Sequence, residues 1–309
     1  MRMRSGFSNV GKIALLPAGP LKFQIDKSTG KGDRWSIADS TSKLLADILS
    51  RFVYLIGKNL STRLAKSYED LEEAYRLVYE EYRKRGYCKE NLSRMHCNYF
   101  CALPDSRTLI LENNGQVQGT LTLIPDSICG VPMENHFNSE IGALRSQGRR
   151  IAEVSLLALD SSLFGKKSFS LLDPKKFAYL FRLVRLVLNY SHATDITDLV
   201  ISVHPKHKFL YSYIGFKEIG NVKAYRAACD NPALPMSLDL SAFFESRPRH
   251  IGAGYLVLAD PPPVELYRHC YRWTKESVSE LLLQKLSLWT QMPNKARDYF
   301  QEHYALKVA

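Results

Sequence analysis

Leu199 to Gly220 reads LVISVHPKHKFLYSYIGFKEIG, and its punctuation sets the fold. Leu199, Val200, Ile201 and Val203 form an apolar run rich in β-branched residues, the pattern of a buried strand. His204-Pro205 stops it, because proline donates nothing to a ladder. Phe209, Leu210, Tyr213 and Ile214 then recur at helical spacing. Gly215 marks the exit from that helix, where a left-handed turn favours glycine. Phe216 to Ile219 starts the next strand.

The bulk numbers bound the rest. A chain of 309 residues with 45% hydrophobic content buries a sizeable core. No apolar run approaches the roughly 18 residues of a membrane span. Ile13 to Pro17 is too short for a signal-peptide core, so the cytoplasm is the expected compartment. Six scattered cysteines fit reduced thiols better than a disulfide framework. The formal charge of +11 points to an acidic partner without naming one. No internal repeat is visible.

Four regions follow in order. Residues 1–34 read as a mobile arm. Residues 35–61 hold an amphipathic helix with Trp35, Ala38, Leu44, Leu45, Ile48, Leu49, Phe52 and Ile56 on one face. It packs on the domain that follows or serves as a membrane-surface or dimer helix. Residues 62–230 carry the main domain, and 231–309 a proline-rich connection and a helical tail.

Within the main domain, Thr62 to Lys66 reads as a strand and Ser67-x-x-Asp70 as a capping box. The next helix has acids at its start and Arg83, Lys84 and Arg85 at its end, both suited to the helix dipole. Asn114-Gly115 turns a hairpin. The stretch from Ser127 to Gly148 is long for a structureless connection, so it holds a short helix around Phe137–Leu144 or serves function. Arg150-IAEVSLLALD is a central apolar strand with one internal acid, Glu153. Asp173-Pro174 opens another helix. Residues 223–228 are the expected last strand, and 231–262 a wrapping connection. Cys88, His96, Cys97 and Cys101 match no zinc spacing.

The order helix, hairpin, acid-bearing strand, helix, strand, helix, strand resembles the Gcn5-related N-acyltransferase fold. This implies an α/β (α+β) mixed sheet flanked by helices, with helical N- and C-terminal extensions. Segments from Arg76-LVYEEY-Arg83, Gly119-TLTLIPD, Val131-PMENHFNSEIGALR-Ser146, Arg149-RIAEVSLLALD and Tyr213-IGF are similar to the long-chain N-acyl amino acid synthases, of which the N-acyltyrosine synthases are the type. More distantly they resemble the acyl-homoserine-lactone synthases. Two departures matter. Acetyl-CoA enzymes of this superfamily carry Q/R-x-x-G-x-G/A after the acid-bearing strand, whose N–H groups hold pyrophosphate. Here Ser161 to Ser168 has a single glycine. Lactone synthases carry E-x-S-R, and here Leu156 replaces the arginine after Glu153-Val-Ser155.

The resemblance implies transfer of a fatty acyl group from acyl carrier protein, or from acyl-CoA, to the amino group of an amino acid. Acyl-phosphopantetheine or acyl-CoA is then a co-substrate, and no cofactor is held permanently. An amine arrives mostly as ammonium, so a base must take its proton. Glu153 is the candidate; its other reading is a buried partner for Arg149, Arg150 or Arg145. Ser155 is a second catalytic candidate, although no histidine is linked to it in sequence. Backbone N–H groups near Ser155 to Leu157, where the strand splays, are expected to hold the oxyanion. Cys97 or Cys101 as an acyl-carrying thiol has only proximity to Arg94 behind it. Arg76, Arg83 and Arg145, with Tyr82 beside them, are candidates to bind the acceptor; each arginine also reads as a solvated side chain. Lys166, Lys167, Lys175, Arg182 and Arg185, with Lys176, form a positive face for an acidic carrier or simply a solvated helix face.

Four alternatives stand beside this one. An acetyl-CoA-dependent small-molecule acetyltransferase and a lactone-synthase-like signal synthase differ in donor or acceptor, and a long apolar slot favours a fatty donor. A nucleic-acid module lacks both a helix-turn-helix and arginine-interleaved aromatics. A catalytically dead fold serving as an interaction platform is the last.

Overall fold

The computed structural model describes residues 60–165, 173–245, 267 and 269–306. The expected arm, nearly all of the amphipathic helix, Lys166 and Lys167 lie outside the described residues. The elements are β1 (Leu60–Leu64), α1 (Tyr68–Lys84), β2 (Arg107–Asn113), β3 (Gln116–Pro125), α2 (Glu134–Ser146), β4 (Ile151–Leu159), α3 (Pro174–Ala193), β5 (Asp198–Val203), α4 (Lys208–Ile214), β6 (Lys217–Glu218), β7 (Lys223–Tyr225), β8 (Asn231–Asp239), α5 (Leu240–Glu245), α6 (Lys275–Ser279) and α7 (Asn294–Tyr304). The sheet runs β1-β2-β3-β4-β5-β8-β6, with β7 paired to β8. Only β4 and β5 are parallel among these pairs.

Local chemistry sets most boundaries. Ser67 Oγ accepts the Asp70 N–H at 3.2 Å, as a capping residue should. The box is not completed, because Asp70 takes the Lys66 N–H and the Arg63 guanidinium instead. Asn114 and Gly115 both have positive φ (51° and 78°), the turn that matches strand twist. Asp173 caps α3 by accepting from the N–H groups of Lys175 and Lys176. The helix expected around Phe137–Leu144 is longer, and it is kinked at Phe137.

β8 was expected as irregular connection and is instead a nine-residue strand between β5 and β6. The main sheet thus extends past residue 230. Its prolines made it read as loop. The Pro235 carbonyl accepts the Ile219 N–H, so its backbone edge faces the β6 side. There β7 ends opposite Ala233 and β6 begins opposite Met236, and the missing N–H falls in the gap.

α3 covers one face of the sheet, burying Ala178, Phe181 and Leu183 against Leu109, Leu121, Ala152 and Leu199. α1, α2 and the C-terminal segment cover the other. The described part of the tail packs on the core. Val278, Leu281, Leu282, Trp289 and Phe300 join α1 and the turn Tyr99–Ala102 in one cluster that includes Leu156 and Ala158 of β4. Trp273 Nε1 donates to the Cys101 carbonyl (3.0 Å) and the Tyr304 hydroxyl to that of Ala102 (2.9 Å). No helix among the described residues is long and apolar enough to cross a membrane.

Phe300 has no exposed surface, so Phe300→Ala should cost ~3–5 kcal/mol of stability in one cooperative transition. Urea unfolding followed by circular dichroism checks this. A loss below about 1 kcal/mol would mean the tail is not part of the folded unit.

Candidate active site

β4 carries the site through a defect in its pairing. Opposite β3, Thr120 faces Ala158 but Thr122 faces Ser155, so the strand holds an extra residue. Leu156 absorbs it with a left-handed φ of 55°. A bulge bends its strand. Parallel pairing with β5 ends at Glu153 opposite Val200, and beyond it the two strands part. The expected splay at Ser155 to Leu157 is therefore present, and it begins directly after the acid.

Glu153 is 2% exposed. Its Oε2 accepts the Met133 N–H at 2.7 Å. Burial pushes its pKa up to about 8; the Met133 N–H and the Ser155 hydroxyl pull the other way and lose. Each arginine proposed as its partner is taken elsewhere. Arg149 pairs with Asp198 and Asp239, Arg150 faces Asp195, and Arg145 is held by Asp126 (2.7 Å) and Glu134 (2.5 Å). No cation pairs with Glu153 among the described residues, so the ion-pair reading falls. A carboxyl pushed that high becomes the charged form, able to take a proton from an amine, as pH rises to about 8 and above.

Tyr225 lies within electrostatic reach of it, and further aromatic side chains adjoin Tyr225 and Tyr82. Tyr225 has its pKa raised first by burial and then by the charges of Glu153 and Tyr82. Tyr82 packs edge-on against Tyr87 (5.7 Å) and near His96 (5.3 Å). Tyr211 is pushed up to about 12 by burial, with Tyr87 adding to it. Tyr213, singled out in the sequence pattern, lies instead beside Phe177 and Phe181 of α3. Residues two apart on a helix sit about 200° around its axis, so only one of the two tyrosines can face the site. Tyr211 and Tyr225 escaped the sequence reading, and the alternation LYSYIGF was the available signal for the first.

The other expected residues scatter. Arg76 donates to the Ser93 carbonyl. Arg83 faces Glu90 (3.6 Å) in an open cleft of about 870 Å³ between α1 and the 90–94 loop, which Glu153 does not line. Lys175 Nζ reaches the Leu163 carbonyl at 3.2 Å and Arg182 that of Leu60 at 2.6 Å. Arg185 acts electrostatically on Tyr267. Cys97 and Cys101 are buried, and burial holds the Cys97 thiol well above its ordinary pKa. A protonated thiol is a poor acyl carrier.

The loop after β4 is filled with carboxylates. Glu81, 1% exposed, accepts the Ser161 N–H (3.1 Å) and hydroxyl (2.8 Å) as well as Lys84 and Arg85. Those partners keep its pKa below the ordinary value despite burial. Asp160 takes the Ser162 N–H at 2.9 Å. Glu81 was read from sequence only as part of a helix.

A buried acid without a cationic partner thus stands where two neighbouring strands of a mixed sheet part. A family model described as N-acyl amino acid synthase FeeM matches residues 73–239, more than half of the chain. The protein belongs to that family. Among solved structures, FeeM from uncultured soil microbes is 30% identical over 59% of this chain and 90% of its own, with a TM-score of 0.51. The lactone synthase LasI is 18% identical over 59% and 89% (TM-score 0.43). An acyl-CoA N-acyltransferase from Pseudomonas aeruginosa is 14% identical over 58% and 98% (0.39). A search of curated protein sequences matches none.

Glu153→Gln should lower kcat by ~10²–10⁴. Wild type should show a rise in kcat/KM as pH approaches 8, and the variant should lack it. The stability effect has the opposite sign. The folded state keeps this proton up to about pH 8, while the unfolded chain releases it near ~4.3, so wild type loses stability as pH rises through that window. The glutamine variant should lack that loss and melt no lower than wild type at pH 8. An ion-pair partner would give the reverse: a lower melting temperature and unchanged turnover.

Proposed function

We propose that the protein transfers a long-chain fatty acyl group from the phosphopantetheine thioester of acyl carrier protein to the amino group of an amino acid. The observation that carries this is Glu153: a buried carboxyl without a cationic partner, beside the parting of β4 and β5. An amine loses two protons between ammonium and amide. Glu153 accepts one, directly or through water, and the other leaves on the departing thiol. Nitrogen bonds to the thioester carbon as the carbon–sulfur bond breaks. Between these events the carbonyl oxygen is an oxyanion, and the backbone N–H groups at Ser155 to Leu157, past the end of the β4–β5 pairing, are the proposed donors to it. Ser155 supports Glu153 through its hydroxyl rather than serving as a nucleophile.

The described part of the loop after β4 supports a carrier-linked donor. Coenzyme A needs N–H groups for its pyrophosphate. Among the described residues of this region, Ser161, Ser162, Lys175 and Lys176 already give theirs to Glu81, Asp160 and Asp173. A second anion there meets carboxylates instead of bare donors. Carrier-linked phosphopantetheine has one phosphodiester and no pyrophosphate, which suits this loop better. Docking of the acidic carrier is assigned to Lys175 and Lys176 at the start of α3, with Lys166 and Lys167 preceding them in sequence and Arg182 bracing β1.

The test is a donor comparison with product mass spectrometry. Acyl carrier protein bearing a long chain should exceed the matching acyl-CoA by at least ~10-fold in kcat/KM, with the advantage shrinking at high salt. Acetyl-CoA as the preferred donor would overturn the reading.

A further inference from the structure

An amino acid acceptor carries a carboxylate, and Arg76, Arg83 and Arg145 are occupied away from Glu153. Another wall of the site does hold donors. His136 lies on α2, three residues after the Met133 whose N–H anchors Glu153. Its ring sits 4.6 Å from that of Tyr225, the side chain that senses the Glu153 charge. His136 Nε2 accepts the backbone N–H of Arg226 at 3.2 Å. A nitrogen that accepts carries no proton, so the neutral ring keeps its proton on Nδ1. Burial first, then the charges of Arg226 and Lys223, outweigh Asp230 and hold the ring below its ordinary pKa, hence neutral.

Nδ1 is buried and has no hydrogen-bond partner among the described residues. Buried donors are almost always paired, and an exception points to a partner that arrives later. Arg226 supplies the charge that a neutral imidazole lacks. Its side chain is exposed and no carboxylate pairs with it among the described residues. Lys223, by contrast, is spent: its ammonium donates to the His136 carbonyl (2.9 Å) and Glu140 (3.0 Å) and lies over the Phe137 ring.

We infer that His136 and Arg226 form the subsite that receives the carboxylate of the acceptor amino acid. Nδ1–H donates to one oxygen and the guanidinium offers the counter-charge, with the amino group toward Glu153. This rests on the proposed transfer to an amino acid. The β7 hairpin then serves the site twice, because its backbone fixes the His136 tautomer and the residue that fixes it also brings the cation.

Two measurements test it. In the first, the full chain is assayed with an amino acid and with the amine formed by removing its carboxylate. Losing a hydrogen bond to a charged group costs about 10–100-fold, so His136→Ala and Arg226→Ala should each cut the preference for the amino acid over the amine by at least ~10-fold, through KM. His136→Asn places an amide N–H near the Nδ1 position and should restore most of the preference. A parallel loss with both acceptors, or an unchanged preference, would overturn the subsite. In the second, proton–nitrogen spectra of histidine-labelled protein should show His136 protonated on Nδ1. That nitrogen should shift when the amino acid is added but not with the amine. Protonation on Nε2, or identical shifts, would also overturn it. The spectra need no acyl donor. If wild type acylates no amino acid, the acyl-transfer reading fails, while the spectra still decide whether the site takes a carboxylate.

Discussion

One hydrogen bond organises this molecule's chemistry: the Met133 N–H given to Glu153. A carboxylate buried without a cation is expensive to ionise, and the protein does not relieve it with an arginine. It relieves it with one backbone donor and the neighbouring Ser155 hydroxyl, enough to keep the acid in place but not enough to keep it charged. Everything around the site follows from holding an acid in that intermediate condition. The bulge at Leu156 opens the sheet beside it, the kinked helix α2 brings Met133 over it, and Tyr225 lies within reach of its charge.

Charge elsewhere is handled in the opposite way. Glu81 is as buried as Glu153 but gains Lys84, Arg85 and Ser161, and its pKa falls where that of Glu153 rises. Arg145 binds two carboxylates and ties α2 to the loop after β3. The same residue types thus divide according to how many partners they are given, into braces and one acid left short, Glu153, which is the proposed base.

Much of this was legible from residue order. The hairpin at Asn114-Gly115, the Asp173 cap, the glycine exit at residue 215 and the acid on the central strand each follow from local rules, because backbone geometry there is dictated by neighbours in sequence. β8 was not, since Pro232 and Pro235 signal a break unless one knows which edge of the strand faces a gap. Nor was the fate of the arginines. Arg145 and Arg83 sit in segments similar to the synthases, yet pairing is decided by acids far along the chain or across a loop. Tyr211 and Tyr213 were separable by helical phase, but which faces the site depends on where α3 packs. The orphan nitrogen of His136 depends on Arg226, ninety residues away, and no local pattern announces it.

The most direct measurement is a titration of Glu153 itself, by carbon-13 resonances of labelled glutamate assigned through the Glu153→Gln variant. The account predicts a midpoint near 8 in the free protein. A midpoint in the ordinary range near ~4.3 would contradict it, because a carboxylate already charged at neutral pH would have a partner that the structure does not give it.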